Sequence, residues 1–285
     1  MISKDSFSFL ILTYNSSKIL AACIDSIRSN FNYEYYDIIV IDNNSDDSEI
    51  TQEISRQREV SFIQNLSNDG YAAGYNEILG HQLGDYLVFM NPDARIVKFE
   101  ANSIAKICES NSDLFGVQLV NISGRKELSF FYDWKFQTPL NQSFTLKLRS
   151  HLRLFSSKKM WINGPFFIVR KHAFLSVNGF DSRTFLYNEE ICLKYKLLQL
   201  RGEYRAEFMD GVMVYHMAKE TRADATALIT SINSALEVCE SMGVSKEYYI
   251  RIRMNHLRFR RKLNYSNVQV RQELGKVIEY LKECR

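Results

Sequence analysis

Three short polar stretches carry the residue types that chemistry requires. Asp42-Asn43-Asn44-Ser45-Asp46-Asp47 concentrates carboxylates and amides. These groups can accept from a base N–H or from ribose hydroxyls, and they would repel phosphates. Asn91-Pro92-Asp93 sets one carboxylate after an apolar run, with a proline fixing the backbone before it. Such a carboxylate suits a hard divalent cation, which takes oxygen ligands and keeps several waters. Asn188-Glu189-Glu190 opens a helical pattern, where the helix dipole and unpaired N–H groups favour ionised carboxylates. A carboxylate there could remove a proton from an attacking hydroxyl while the metal-side group stabilises what leaves. Each stretch also has an ordinary use, as an Asn/Asp-rich turn, a cap or an acidic first turn. Their combination is what is informative: an anionic diphosphate could bind in so acidic a region only with a metal to offset the repulsion.

Short β-rich runs alternate with helical stretches through the first third of the chain. Phe7–Leu12, Asp37–Ile41, Val60–Ile63 and Tyr86–Met90 read as strands, and Ser17–Arg28, Ser48–Arg58 and Ala72–Leu83 as helices. This alternation predicts βαβ units and a mostly parallel sheet. Each strand is followed by a polar segment, and in open parallel sheets ligands bind outside the carboxyl ends of the strands. The four segments are therefore expected to converge on one cleft. Further on, Leu114–Val120 and Leu128–Tyr132 flank the turn Asn121-Ile122-Ser123-Gly124 as a hairpin, and Asn163–Val169 returns to strand character. A helix is expected from Asn188 to about Arg201, stopped by Gly202, and the pattern after His216 is helical, interrupted at Gly243 and around Asn264–Asn267. The fold class expected is α/β, with a mostly parallel central sheet flanked by helices, a Rossmann-like nucleotide-binding half and a helical C-terminal extension.

With 285 residues, 46% of them hydrophobic and 24% charged, the chain can bury a sizeable core, which excludes disorder, collagen and coiled coil as whole-chain readings. Its net charge of +3 conceals a split. Residues 1–133 hold 10 basic and 19 acidic residues, and residues 134–285 hold 26 and 14, so the halves carry −9 and +12. Unlike halves predict unlike partners. The five cysteines are scattered without CxxC spacing, which points to reduced thiols and a cytoplasmic protein rather than a disulfide framework or zinc site. Phe7–Leu12 is too short for a signal-peptide core, and no stretch approaches the roughly 20 apolar residues of a membrane span. Trp134 to Phe180 contains no acidic residue, and neither does Arg251 to Arg271. No nucleic-acid motif accompanies these basic tracts, so nucleic acid is not expected as a partner. An anionic membrane surface is the partner they suggest, with the protein peripheral at the inner face of the plasma membrane.

The motifs together resemble family 2 glycosyltransferases of the inverting, glycosyltransferase-A type, in the branch with rhamnosyltransferase-like enzymes of bacterial surface polysaccharides. The resemblance spans about Phe7 to His216. It rests on Leu10-Ile-Leu-Thr-Tyr-Asn15, Ile41-Asp-Asn-Asn-Ser-Asp46, Asn68-Asp-Gly-Tyr-Ala-Ala-Gly-Tyr-Asn76 and Phe89-Met-Asn-Pro-Asp93. Asn163-Gly-Pro-Phe-Phe-Ile-Val-Arg170, Gly179-Phe-Asp181 and Phe185-Leu-Tyr-Asn-Glu-Glu-Ile-Cys-Leu193 follow in order. The resemblance implies that Thr13, Tyr14, Asn15 and Asp42, with Asn44 beside it, embrace the nucleoside. It implies that Asn68, Gly70, Asn76, Asn91, Asp93 and Gly164 belong to the nucleotide-sugar site. Asp93 would hold Mg²⁺ or Mn²⁺, with His216 near the diphosphate or metal. The base would be the second member of Glu189-Glu190, with Glu189 the alternative.

The sequence departs from the family at three places. The base position holds Glu instead of Asp, the acidic position two further on holds Cys192, and Asn91 replaces the first Asp of the Asp-x-Asp metal motif. Metal affinity is accordingly expected to be modest, with basic groups sharing the diphosphate. The implied reaction moves a sugar with inversion from a UDP- or dTDP-sugar, dTDP-rhamnose included, to a hydroxyl of a glycan or lipid-linked acceptor in surface polysaccharide or O-antigen synthesis. The rival is a catalytically silent sugar-nucleotide-binding or scaffold protein on the same fold. The expected division is a catalytic domain over 1–220, split into a nucleotide-sugar half (1–133) and an acceptor half (134–220), and a basic helical extension over 221–285.

Overall fold

Apolar runs become buried strands and the amphipathic stretches become helices laid over them. The computed structural model describes residues 5–217 and 224–284. Its strands are β1 (Phe7–Thr13), β2 (Tyr36–Asp42), β3 (Ser61–Gln64), β4 (Tyr86–Met90), β5 (Ala94–Phe99), β6 (Leu114–Val120), β7 (Phe130–Tyr132), β8 (Met160–Ile162), β9 (Phe166–Arg170) and β10 (Ala206–His216). The α-helices are α1 (Ser17–Asn30), α2 (Ser48–Gln57), α3 (Tyr71–Asn76), α4 (Ala101–Glu109), α5 (Leu146–His151), α6 (Lys171–Ser176), α7 (Glu189–Arg201), α8 (Ala225–Val238), α9 (Lys246–Leu263) and α10 (Val268–Glu283). Among the described residues eight strands form one sheet in the order β3-β2-β1-β4-β9-β6-β10-β5, and β7 pairs with β8 in another. β3, β2, β1 and β4 run parallel, as do β6 and β10, while β9 and β5 run against their neighbours. The mostly parallel α/β sheet expected from the sequence is present.

Every residue of β1, β4 and β6 is buried. Strands covered on both faces read as continuous apolar runs, which is why these were legible. Alternate side chains feed two cores: Phe7, Phe9 and Ile11 pack under α1 and α4, while Leu10 and Leu12 pack under α3, α6 and α7. Phe89 anchors the second core, its ring 4.9–5.0 Å from those of Tyr75, Phe167, Phe174 and Phe180. Truncating so enclosed a ring to Ala typically costs about 3–5 kcal/mol.

A third core joins the C-terminal helices to the outer face of α7. Ile191, Cys192 and Tyr195 pack with Trp134 and with Ile232, Val238, Tyr249 and Leu274. The helical C-terminal segment thus shares its core with the helix that opens on Glu189 and Glu190. The expected boundary at 220/221 lies outside the described residues. The inner side of α7 is pinned by a buried ion pair, with Lys194 Nζ 2.9 Å from Asp133 Oδ2. Asp133 Oδ1 also accepts from Tyr195 Oη at 2.9 Å and from the Lys135 N–H at 3.1 Å. Burial pushes the Lys194 ammonium below its usual range, with Asp133 opposing that shift. Replacing Asp133 by Ala leaves this cation without its anion, and we expect a loss of about 3–5 kcal/mol in urea unfolding. Asp133→Leu combined with Lys194→Met should recover most of it.

Several expectations are corrected. The helix expected over Ala72–Leu83 is α3 followed by a 3-10 turn, Glu77–Gly80. Here the Asn76 amide is drawn to the Phe180 backbone instead of solvent. The hairpin of Leu114–Val120 with Leu128–Tyr132 reduces to a single bridge, Val120 to Lys126. Side chains replace its ladder: Ser129 Oγ accepts from the Leu119 N–H at 2.9 Å and from Gln118 Nε2 at 3.1 Å. β7 then pairs with β8. β5, β8 and β10 were not read as strands. β8 is three residues long, and the register of β10 slips between Phe208 and Met213, around Asp210-Gly211, which masks its alternation.

Candidate active site

The polar segments at the ends of β1 and β2 are tied into one framework. Thr13 Oγ1 donates to Asp42 Oδ1 at 3.2 Å, and Asp42 Oδ2 accepts from the Ser45 N–H at 2.9 Å. Asn15, held at φ 50°, bonds Asp46 reciprocally: its Nδ2 donates to Asp46 Oδ2 at 3.0 Å, and its Oδ1 accepts from the Asp46 N–H at 2.8 Å. Tyr14 stands 49% exposed beside them, and Asn44 is exposed at φ 59°. The hub is Asn43, which the sequence reading passed over. Its Nδ2 donates to Asn68 Oδ1 at 2.7 Å and to the Gly70 carbonyl at 3.2 Å, while its Oδ1 accepts from Asn65 Nδ2 at 2.9 Å. One buried amide thus locks the end of β2 to the segment that follows β3.

Gly70 joins this framework to the loop before α7. At φ 97°, with a Cβ that would sit 2.2 Å from the Phe185 carbonyl oxygen, the position admits only glycine. The next N–H, of Tyr71, donates to that same carbonyl at 2.8 Å. Asn76 has a different task from lining a pocket. Its Oδ1 accepts from the Phe180 N–H at 2.9 Å and its Nδ2 donates to the Phe180 carbonyl at 3.0 Å, so the amide holds the Gly179-Phe180-Asp181 turn.

The strand pairing of β4 with β9 connects the other two segments. The Asn91 N–H donates to the Pro165 carbonyl at 3.0 Å, which places Asn91-Pro92-Asp93 beside Asn163-Gly164-Pro165. Gly164 is needed for close approach, because a Cβ there would lie 1.5 Å from Glu190 Oε1. At the far side, the antiparallel pairing of β5 with β10 sets Ala94 opposite His216. His216 Nε2 then lies 3.5 Å from Asp93 Oδ2. Glu127, absent from the sequence reading, belongs to this corner: burial pushes its carboxyl up, and His216 partly offsets the shift.

Glu189 and Glu190 are both buried, at 3% and 9% exposure. Burial pushes the Glu190 carboxyl up to about 7. Glu189 is raised well above the carboxylate range, by burial first and then by the charge of Glu190, and its Oε1 has no hydrogen-bond partner among the described residues. Two buried carboxylates this close favour a single negative charge between them near neutrality. Tyr204 is buried and Tyr71 half-buried in the field of Glu190. Asn188, at φ 73°, turns the chain into α7 and anchors it by donating from Nδ2 to the Ser231 carbonyl at 2.9 Å. Cys192, where the family places an acid, is 1% exposed and faces the third core.

The set can do acid–base chemistry. If Glu190 acts as a base, turnover should rise with pH and level off above about 7. The sign for stability is opposite. The folded state retains a proton between the ordinary value of 4.5 and about 7, where the unfolded chain has released it, so stability should fall as pH rises through that window. Urea midpoints across pH 5 to 8 check this, and Glu190→Gln should flatten the curve.

Among the described residues no three His, Cys, Asp or Glu side chains cluster as a self-sufficient metal centre. Asp93 and His216 do fit a divalent cation completed by waters and phosphate oxygens, the usual manner of Mg²⁺ binding.

With a mostly parallel sheet whose strand ends converge in this way, the chain has the glycosyltransferase-A fold. Residues 8–174, more than half of the chain, match the family model "Glycosyl transferase family 2", and the chain belongs to that family. Rhamnosyltransferase WbbL of Escherichia coli (strain K12) is 27% identical over 199 residues, covering 63% of this chain and 73% of that protein. Mannosyltransferase PcManGT from Pyrobaculum calidifontis, in complex with GDP-Man and Mn²⁺, superposes with a TM-score of 0.60 at 12% identity, covering 100% of this chain and 77% of that one. S. aureus TarS 1-349 in complex with UDP gives 0.54 at 17% identity, covering 92% of this chain and 73% of that one. These solved structures are alike in fold, and the relation to the rhamnosyltransferase is one of sequence identity.

Proposed function

We propose that the chain is an inverting sugar transferase whose base is Glu190. The observation that carries this is a buried carboxylate raised to about 7 and pressed against Gly164, between the polar strand ends and the Asp93 corner. A base is most effective when its pKa lies near the working pH. Glu189, raised further, keeps its proton near neutrality and is the lesser candidate.

The donor is a nucleoside-diphosphate sugar, UDP- or dTDP-linked, with dTDP-rhamnose favoured by the rhamnosyltransferase relative. Its base and ribose lie against Thr13, Tyr14, Asn15, Asp42 and Asn44. The Asn68–Gly70 turn shapes the wall, and Asn91 and Gly164 border the sugar. A divalent cation, Mg²⁺ or Mn²⁺, held by Asp93 and His216 would neutralise charge developing on the leaving diphosphate; PcManGT was solved in complex with GDP-Man and Mn²⁺. The acceptor hydroxyl, on a glycan or lipid-linked sugar, attacks the anomeric carbon in line as the bond to the diphosphate oxygen breaks. Glu190 takes the hydroxyl proton, and single displacement inverts the centre. The acceptor approaches over residues 134–220, and the product belongs to surface polysaccharide synthesis.

The decisive test screens sugar nucleotides by thermal shift with Mn²⁺ and follows the best binder with an acceptor. Transfer with inversion, seen in the anomeric proton coupling, supports the reading. A stabilising donor that is neither transferred nor hydrolysed over hours would instead make this a binding protein.

A further inference from the structure

An apolar row stands in solvent on the segment leading into α5. Leu140, Phe144, Leu148 and Leu152 recur every four residues and are 63%, 54%, 59% and 53% exposed. The segment is helical from Asn141 to His151, first as a π-helix and then as α5, so this spacing puts the four on one side. The opposite side is fastened down. Leu146 and Ser150 are buried, Ser150 Oγ donates to the Glu127 carbonyl at 2.9 Å, and Arg149 Nε donates to Tyr132 Oη at 3.2 Å. The exposed leucines therefore have no core of their own to enter.

α9 continues this surface. Phe144 and Phe259 meet edge to face, with ring centroids 6.2 Å apart. On the same helix Arg253, His256 and Arg260 lie half-buried at the spacing of one face. Arg253 Nε and His256 Nδ1 are buried without a hydrogen-bond partner among the described residues. No acid balances them: burial first, then Arg253 and Arg260, push His256 down to about 3. Among the described residues none of the bases of α9 forms an ion pair, and Arg251 to Arg271 contains no acidic residue. Groups of this kind are costly to leave unpaired, so an anion reaching this face would be held by it.

We propose that this joined surface docks on an anionic phospholipid bilayer, the Leu140–Leu152 row entering the acyl boundary while Arg253, His256 and Arg260 take headgroup phosphates. The chemistry selects this occupant. A leucine row offers no stacking platform for nucleic-acid bases, and a second copy would set like charge against like. A bilayer with anionic lipids supplies an apolar layer beside a phosphate layer. The proposal concerns binding alone and stands whether or not the transfer reaction does.

The test is co-sedimentation of the full chain with phosphatidylcholine vesicles, with and without phosphatidylglycerol. Binding to the mixed vesicles alone, weakened by salt, is expected. Each base near the surface is worth about a five-fold change in partitioning, so Arg253→Gln with Arg260→Gln should weaken it about 25-fold. Arg258→Gln with Arg261→Gln, on exposed positions, should act alike and guards against a folding defect in the first pair. Phe144→Ser with Leu148→Ser should cost about ten-fold or more. Equal binding to both vesicles, apolar variants that bind normally, or recovery of the bases' ligand as free phosphate or an oligonucleotide without vesicle binding would overturn the proposal.

Discussion

Glu190→Gln should lower kcat by roughly 10²–10⁴, the usual contribution of a positioned base, and leave donor affinity unchanged. The amide keeps the shape and burial of the side chain but cannot accept the acceptor's proton. Gly164→Ala should reach the same step by another path. Its Cβ would lie 1.5 Å from Glu190 Oε1, so the carboxylate must move. Displacing a reacting group by about 1 Å can cost 10²-fold. Glu189→Gln separates the two glutamates, because a side chain already protonated loses little by becoming an amide. Single-turnover transfer with each variant, alongside donor binding by calorimetry, reads all three. A Glu190→Gln enzyme of ordinary rate, or a Glu189→Gln enzyme that is the more damaged, would reverse the assignment.

Asp93→Ala should act on binding as well as on rate. We expect turnover to fall about 10²-fold or more, as several kcal/mol of charge stabilisation are lost. Donor affinity should lose the part that responds to Mn²⁺. The structure makes this site shallow in donors, a single carboxylate with His216 3.5 Å away. Affinity for the metal without donor should therefore be weak, and tight binding of each should require the other. Calorimetry of donor with Mn²⁺ and with a chelator measures the difference. Equal affinity in both conditions for the native protein would remove the metal from the proposal.

The basic groups of the second half were expected to share the diphosphate, and the structure assigns many of them elsewhere. Arg201 and Arg205 bracket Asp113 at 2.9 and 3.1 Å, and Arg183 closes on Asp181 at 2.6 Å. Lys194 is committed to Asp133. Of the described bases without an ion pair, α9 carries Lys246, Arg251, Arg253, Arg258, Arg260, Arg261 and Lys262, while others, Lys147, Lys158 and Lys159 among them, lie elsewhere.

How much was legible depended on how local the cause was. β1, β4 and β6 were read to within a residue because strands buried on both faces are apolar throughout. α7 was read from its acidic first turn and its Gly202 stop. β10 escaped because Asp210-Gly211 breaks its alternation, and its partner β5 carries two charges, Arg95 and Lys98, with only alternate parts buried. Among site residues, the conspicuous carboxylates were found and the quiet ones were not. Asn43 looked like one polar residue among six, yet burial makes it the hub that ties the loop after β2 to the loop after β3. Tyr71 and Tyr204 carried no signal beyond an apolar pattern, although they enclose Glu190.

Residue order by itself determined the α/β alternation, the acidic and basic halves and the motifs that place the chain in its family. These follow from short-range pattern, in which each residue is read against neighbours a few positions away. Only the tertiary structure decided which glutamate lies against Gly164, that His216 meets Asp93, and that Phe144 joins an apolar row to Phe259 of α9. The physical reason is that reactivity here comes from desolvation and long-range contact. A carboxyl that titrates near 4.5 in water is raised to about 7 by what covers it, and no residue's identity records what will cover it.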